Sequence, residues 1–182
     1  DPPSEHKRVS NSEIQQLLDA ADGYLKVKYF IPMIKFTLET GLRRQELADL
    51  TWDAIKHQQR FIQVTKTKTD YPRRIPLTSE IKAILATVSP NPSTHYNVPS
   101  SSPVFTNSVR SIECAFKRAK KRAGVNFTLH MLRHEAISRL FERGLSPIEV
   151  ASISGHRTLK TLMRYSHADT QNLLEKMEGN LS

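Results

Sequence analysis

Apolar positions recur mostly at intervals of three and four residues, interrupted by one stretch with a period of two. Ser10 and Glu13 in "SNSE" have capping-box spacing, and Ile14, Leu17 and Leu18 follow at helical intervals, so a first helix starts there. "YLKVKYFIPMIKFTLETG" predicts a second, mostly buried helix, kinked or restarted near Pro32 and ended around Gly41. A short helix over "RRQELADLTW" precedes "RFIQVTKTKTDYPRRIPLT", where two β-rich runs flank a turn-like "TDYP".

Helical periodicity returns in "SEIKAILATV", and residues 89–107, with four prolines, read as a loop. "SVRSIECAFKRAKKRAGV" predicts a basic amphipathic helix with Ile112, Ala115, Phe116 and Ala119 inward. "SPIEVASISGH" opens with Ser146 as cap, Pro147 at the first helical position and Glu149 closing a capping box. "TLKTLMRY" and "DTQNLLEKME" predict two further short helices. The expected fold is one domain, mainly α with a small antiparallel β-hairpin or sheet.

The helix predicted over "TLHMLRHEAISRLFERG" departs from ordinary amphipathic design. At about 100° per residue, Leu129, Leu132, Ala136 and Leu140 share one side and Ile137 and Phe141 extend the apolar arc, while His130 and Arg133 project between them. Glu135, Ser138 and Glu142 fall on the opposite arc, where solvent is expected. An inward arginine needs an anionic partner, because an unpaired buried charge is too costly. Either an internal carboxylate or a bound anion supplies it.

Composition narrows the classes of partner. Lys and Arg exceed Asp and Glu by 27 to 18, for a formal charge of +9 and a pI near 9.8, which favours a polyanion or an anionic membrane surface without choosing between them. The sequence has no apolar run long enough to span a bilayer, and its opening lacks the hydrophobic core of a signal peptide, so a soluble, non-exported protein is expected. The single Cys114 agrees with a reducing compartment and excludes a Cys-cluster metal site. A start at Asp1 rather than Met reads as a fragment.

Four segments, "TGLRRQELADLTW", "TKTKTDYPRRIPL", "LHMLRHEAISRLFERG" and "ISGHRTLKTLMRYSHA", occur in this order, and together they resemble the catalytic domain of the tyrosine recombinase (phage integrase) family. The likeness runs from about residue 8 to residue 178. It implies a site-specific DNA recombinase that cuts and rejoins DNA through a covalent 3′-phosphotyrosine, with neither metal nor other cofactor.

By this resemblance Arg43 is the first active-site arginine and Glu46 its supporting acid. Lys68 is the hairpin lysine, preferred over Lys66 because it stands eight residues before Pro76. His130 and Arg133 form the H-x-x-R pair, His156 is the second histidine, and Tyr165, nine residues later, is the nucleophile. His134 and His167 become supporting residues. Lys66, Arg73, Arg74, Lys117, Lys120 and Lys121 become phosphate contacts, although each also reads as solvated surface.

The resemblance further implies that residues 1–9 are a linker from a separate DNA-binding domain, residues 10–182 the catalytic domain, and residues 168–182 a tail that packs in cis or in trans. Partners would be double-stranded DNA and further copies in a tetramer, with no membrane, in a bacterial or phage cytoplasmic setting near the nucleoid. Two readings compete within DNA chemistry: relaxation of the type IB topoisomerase kind, and DNA binding without catalysis. A third invokes zinc held by His130, His134, His156 and His167, although Ser138 stands where the H-E-x-x-H metalloprotease motif needs its second histidine.

Overall fold

The computed structural model describes residues 8–24, 27–65, 72–90, 99–165 and 170–179. Its helices among these are α1 (Asn11–Ala21), α2 (Phe30–Thr40), α3 (Arg44–Ala48), α4 (Ser79–Val88), α5 (Val109–Ala123), α6 (Leu129–Glu142), α7 (Pro147–Ser154), α8 (Leu159–Leu162) and α9 (Thr170–Met177). Strands β1 (Ile55–Lys56), β2 (Phe61–Val64) and β3 (Arg73–Pro76) form one antiparallel sheet in the order β1-β2-β3. The mainly helical fold with a small antiparallel sheet is therefore as expected.

Local chemistry explains the element ends. Ser10 and Glu13 close a capping box on α1, and Ser146 and Glu149 do the same on α7, where Pro147 lies in the first turn. Helix α2 restarts rather than kinks: Tyr29 takes a left-handed conformation at φ 66°, and Pro32 then falls in the first turn, where its missing N–H costs no helical bond. Gly41 ends α2 at φ 64°, a conformation that glycine adopts without a Cβ penalty, and its N–H closes on the Thr37 carbonyl at 2.8 Å.

The hairpin register pairs Phe61 with Pro76, Ile62 with Ile75, Gln63 with Arg74 and Val64 with Arg73. Side chains alternate faces along a strand, so Ile62, Val64, Arg73 and Ile75 are buried while Arg74 and Pro76 are exposed. Strand β1 had no sequence signal, because two residues are too short for a period to emerge. Of the proline-rich loop, residues 99–107 are described; Val104 and Phe105 drop into the core, and Thr51 bridges Pro103.

Helix α1 packs on α5, and α2 packs on both α4 and α6. The main core joins Leu17, Met33, Phe36, Ile62, Leu85, Phe105, Phe127 and Leu132, with edge-to-face contacts between Phe36 and Phe105 and between Phe116 and Phe127. Each such side chain contributes ~1.5–3 kcal/mol on burial. A second cluster holds Ile137, Val150, Leu162 and Tyr165. Helix α6 thus serves two cores, Leu132 facing one and Ile137 the other.

One expectation for α6 is corrected. Glu135 and Ser138, assigned to the solvent arc, are buried, at 5% and 8% exposure. Arg8 lies across that arc, donating from Nε and Nη2 to Glu135 at 2.8 and 3.0 Å and from Nη1 to Glu142 at 2.8 Å. Arg139 adds a 3.1 Å bond to Glu135.

Candidate active site

Arg133 leaves α6 between the two cores and is 4% exposed. It donates from Nη1 to the Gly41 carbonyl, and from Nη2 to the Ser154 carbonyl at 2.7 Å. Both carbonyls lie at helix C-termini, of α2 and α7, where the helix dipole presents partial negative charge. The internal carboxylate considered from sequence is thus replaced in these two bonds by backbone, although Glu46 senses the Arg133 charge.

Arg43 is the N-cap of α3, and its backbone N–H donates to Glu46 Oε2 at 2.9 Å. Its guanidinium stands 3.6 Å from Glu46 Oε1, and the side chain is 34% exposed. The tighter partner of Glu46 is Arg73, which grips the carboxylate with both terminal nitrogens, at 2.7 and 2.8 Å. Burial pushes the Glu46 carboxyl up; the Arg73 hydrogen bonds and charge, the Arg43 N–H and the Arg133 charge together hold it below the ordinary range.

Arg73 therefore departs from its assignment as a surface phosphate contact. Its side chain is 4% exposed, and its Nε donates to the Ile153 carbonyl at 2.7 Å. The missed signal was the two-residue period itself, which puts Arg73 on the same face as Ile75 and Leu77, both buried. Arg74, the next residue, does face outward, stacked over the Phe61 ring at 4.4 Å.

Beyond α7, Gly155 turns the chain at φ 76°, and His156 Nδ1 meets the Ser154 hydroxyl at 2.7 Å. Ser154 is 1% exposed, so this contact fixes the imidazole on a rigid base. Ser154 also carries the carbonyl that binds Arg133, a double use that sequence reading missed because serine at a helix end has no distinguishing pattern.

His130 is exposed near the start of α6, and its ring stands edge-on to His134 at 4.3 Å between centroids. His134 stacks against Tyr165 at 5.5 Å, and its Nδ1 shares a hydrogen bond with the Tyr165 hydroxyl. Tyr165 ends the 3-10 turn Met163–Tyr165, is 5% exposed and lies stacked near Phe141. The ring that meets the Tyr165 hydroxyl is thus His134, expected from the sequence only as a supporting residue.

Arg43, His130 and Arg133 share the wall of one cavity of about 540 Å³ with Arg44, Lys117 and Lys120. His156 opens instead onto a neighbouring cleft with Gln63, Arg73 and Arg74, and Tyr165 is not part of either wall. Lys117 and Lys121 are exposed and Lys120 is half-buried on α5. Lys66, Lys68 and His167 lie outside the described residues. Among the described residues no three His, Cys, Asp or Glu side chains are grouped to hold a metal ion, and no helix is long and apolar enough to cross a membrane.

Comparison with known proteins places this arrangement. The model of the phage integrase family matches residues 7–172. The shufflon-specific DNA recombinase of Escherichia coli is 31% identical over 177 residues, covering 95% of this chain and 43% of that protein. Tyrosine recombinase XerA of Pyrococcus horikoshii is 26% identical over 181 residues, covering 97% of this chain and 62% of that protein. The chain thus spans about half the length of these curated relatives. The solved catalytic domain of bacteriophage HP1 integrase shares the fold, at a TM-score of 0.69 and 22% identity, over 94% of this chain and 93% of that one. With the family match covering nearly the whole sequence, the chain belongs to the phage integrase family.

Proposed function

We propose that this chain is the DNA-cutting and rejoining domain of a site-specific tyrosine recombinase, with Tyr165 as nucleophile. The observation that carries the reading is the shared wall of Arg43, His130 and Arg133, linked through the His130–His134 ring contact to the Tyr165 hydroxyl. These residues come from three segments that together span more than a hundred positions of the chain, and no packing need of a helical bundle calls for two arginines and two histidines beside a tyrosine.

Attack by the phenol oxygen on a DNA phosphodiester forms a five-coordinate phosphorus whose non-bridging oxygens gain charge. Arg43 and Arg133 meet that charge with planar forks, and His130 donates to the same oxygens, a role that the family resemblance also assigns to His156 in the neighbouring cleft. Each preorganised donor lowers the barrier by ~3–4 kcal/mol. A free tyrosine, with a pKa of about 10, is protonated at neutral pH and must lose its proton as it attacks. The hydrogen bond to His134 favours that imidazole over His130 as the acceptor.

The new P–O bond to Tyr165 forms as the bond to the 5′-oxygen breaks, and that oxygen leaves with a proton, assigned by family resemblance to Lys68. The phosphotyrosine conserves the bond energy, so a 5′-hydroxyl from another strand reverses the step without ATP.

Double-stranded DNA is the partner that this reading requires, and Lys117, Lys120, Lys121 and Arg74 are its phosphate contacts. Named relatives in DNA complexes support it, among them a lambda integrase dimer on a core site. Assembly of the whole protein as a tetramer, and a DNA-binding domain ahead of a linker at residues 1–9, complete the proposal. Exposed Leu173, Leu174 and Met177 on α9 suit a tail that docks on a neighbouring copy.

A nicked suicide duplex carrying the cognate site tests the reading. The wild-type chain forms a covalent DNA adduct in EDTA and Tyr165→Phe forms none. Binding without any adduct would leave a DNA-binding module instead, and an adduct that EDTA abolishes would point to a metal.

A further inference from the structure

We propose that Ser154 is a positioning residue for DNA cleavage: its buried hydroxyl orients the His156 ring and holds the ring proton on Nε2, the nitrogen turned away from that hydroxyl. The inference rests on the cleavage reading above and on the phosphate role that the family resemblance gives His156. Ser154 is 1% exposed and stands on the wall of neither cavity. Any effect of its side chain on the reaction therefore runs through the group that the hydroxyl holds.

That group is the imidazole. A neutral ring carries one proton, and the bond made by one nitrogen decides which nitrogen holds it. Nδ1 of His156 stands 2.7 Å from the Ser154 hydroxyl, and among the described residues this is the one hydrogen bond of that side chain. Were Nδ1–H the donor, the hydroxyl oxygen would accept and its own O–H would be buried without an acceptor. With the hydroxyl as donor only a lone pair goes unused, which costs less than an orphaned donor. The hydroxyl therefore donates to Nδ1, and the proton of the neutral ring sits on Nε2. A phosphate need only exchange with whatever Nε2–H meets in the absence of DNA.

Ser154 also serves the site from its backbone. Its carbonyl accepts from Arg133 at 2.7 Å, and Gly155 then turns the chain at φ 76°, which brings His156 back beside the hydroxyl. Arg133 lines the first cavity, and His156 lines the neighbouring cleft with Gln63, Arg73 and Arg74. One residue at the end of α7 thus sets the spacing of donors that belong to two different walls. The described residues of the cleft wall include two arginines and no carboxylate, so the field there draws an anion toward the ring.

Ser154→Ala removes the hydroxyl and leaves the carbonyl for Arg133, which isolates the contact to His156. Long-range proton–nitrogen NMR on histidine-labelled protein, at a pH where the ring is neutral, reads the tautomer. Wild type is expected to carry the His156 proton on Nε2, and Ser154→Ala to show a mixture with the Nδ1–H form. In single-turnover adduct formation at saturating DNA on the nicked suicide duplex, Ser154→Ala is expected to be slowed about tenfold, with the DNA dissociation constant within about twofold. Ser154→Cys, a weaker donor, falls between. In a His156→Ala background the loss of the hydroxyl costs less than about twofold, because no ring remains to be held.

A wild-type ring with its proton on Nδ1 overturns the proposal whatever the variants do. So does a Ser154→Ala rate within about twofold of wild type, or equal slowing by Ser154→Ala with and without His156, which would make the hydroxyl a packing group. An unslowed His156→Ala would remove His156 from the chemistry and the proposal with it, while leaving cleavage by Tyr165 in place. Wild-type protein that shows the Nε2–H ring but forms no adduct would instead sink the cleavage reading, and this inference with it.

Discussion

His134 Nδ1 and the Tyr165 hydroxyl share a hydrogen bond while their rings stack, which ties the middle of α6 to the turn that follows α8. Tyr165 is itself a buried member of the second core cluster, stacked near Phe141. This bond is expected to contribute about 1 kcal/mol, the usual net value for a neutral hydrogen bond. His134→Ala and Tyr165→Phe should each lower the urea-unfolding free energy by about that amount or more, and the double variant should lose about 1 kcal/mol less than their sum. Strict additivity would show that the two side chains do not stabilise each other.

Gly155 and Gly124 both cap helices at positive φ, 76° and 70°, but only Gly155 has a neighbour in the space that a Cβ would fill. Gly124→Ala should cost ~1–2 kcal/mol for the left-handed backbone alone. Gly155→Ala should cost at least about 1 kcal/mol more, because the Arg73 guanidinium has to move away from its buried bonds. Paired thermal melts read the difference, and equal losses would mean that Arg73 moves aside freely.

Acid stability follows from the two buried carboxylates. Burial raises the Glu135 carboxyl, but the Arg8 and Arg139 hydrogen bonds and charges overcome it and hold the group below its ordinary value of 4.5, as Arg73 chiefly does for Glu46. A folded-state pKa below the unfolded one stabilises the fold above the unfolded pKa, and that stabilisation fades as pH falls through the folded pKa. The two groups should therefore contribute a constant amount between about pH 7 and pH 5 and lose it progressively below about pH 4.5. Glu135→Gln should lower Tm at neutral pH and give a shallower acid limb than wild type. An unchanged acid limb would place the acid-sensitive group elsewhere.

Salt dependence separates phosphate contacts from internal arginines. Lys117 and Arg74 are exposed, and replacing either with Ala should reduce the slope of log binding constant against log salt by about 0.9. Arg73→Gln should leave that slope unchanged, since its side chain is only 4% exposed. Slopes measured by fluorescence titration across a salt series distinguish the two classes, and a loss of slope in Arg73→Gln would mean that this arginine reaches DNA.

Much of this protein was legible before folding. Caps at Ser10 and Ser146, the amphipathic face of α5, the hairpin and the inward turn of Arg133 all follow from interactions within a few residues, which a linear pattern records. The order of the family's motifs was legible for the same reason, since each is a short local string.

Tertiary structure alone decided who meets whom. Period two puts Arg73 on an inner face but says nothing of Glu46, 27 positions away, and Arg8 reaches Glu135 across 127 positions. The partners of Arg133 are carbonyls of Gly41 and Ser154, groups that every residue carries and that no side-chain pattern marks. Helical spacing places His130 and His134 one turn apart with nearly equal claims on Tyr165, and the packing of α8 against the second core gives that contact to His134. Periodicity determines which face a side chain takes, whereas the charge or dipole opposite that face depends on segments the pattern does not connect.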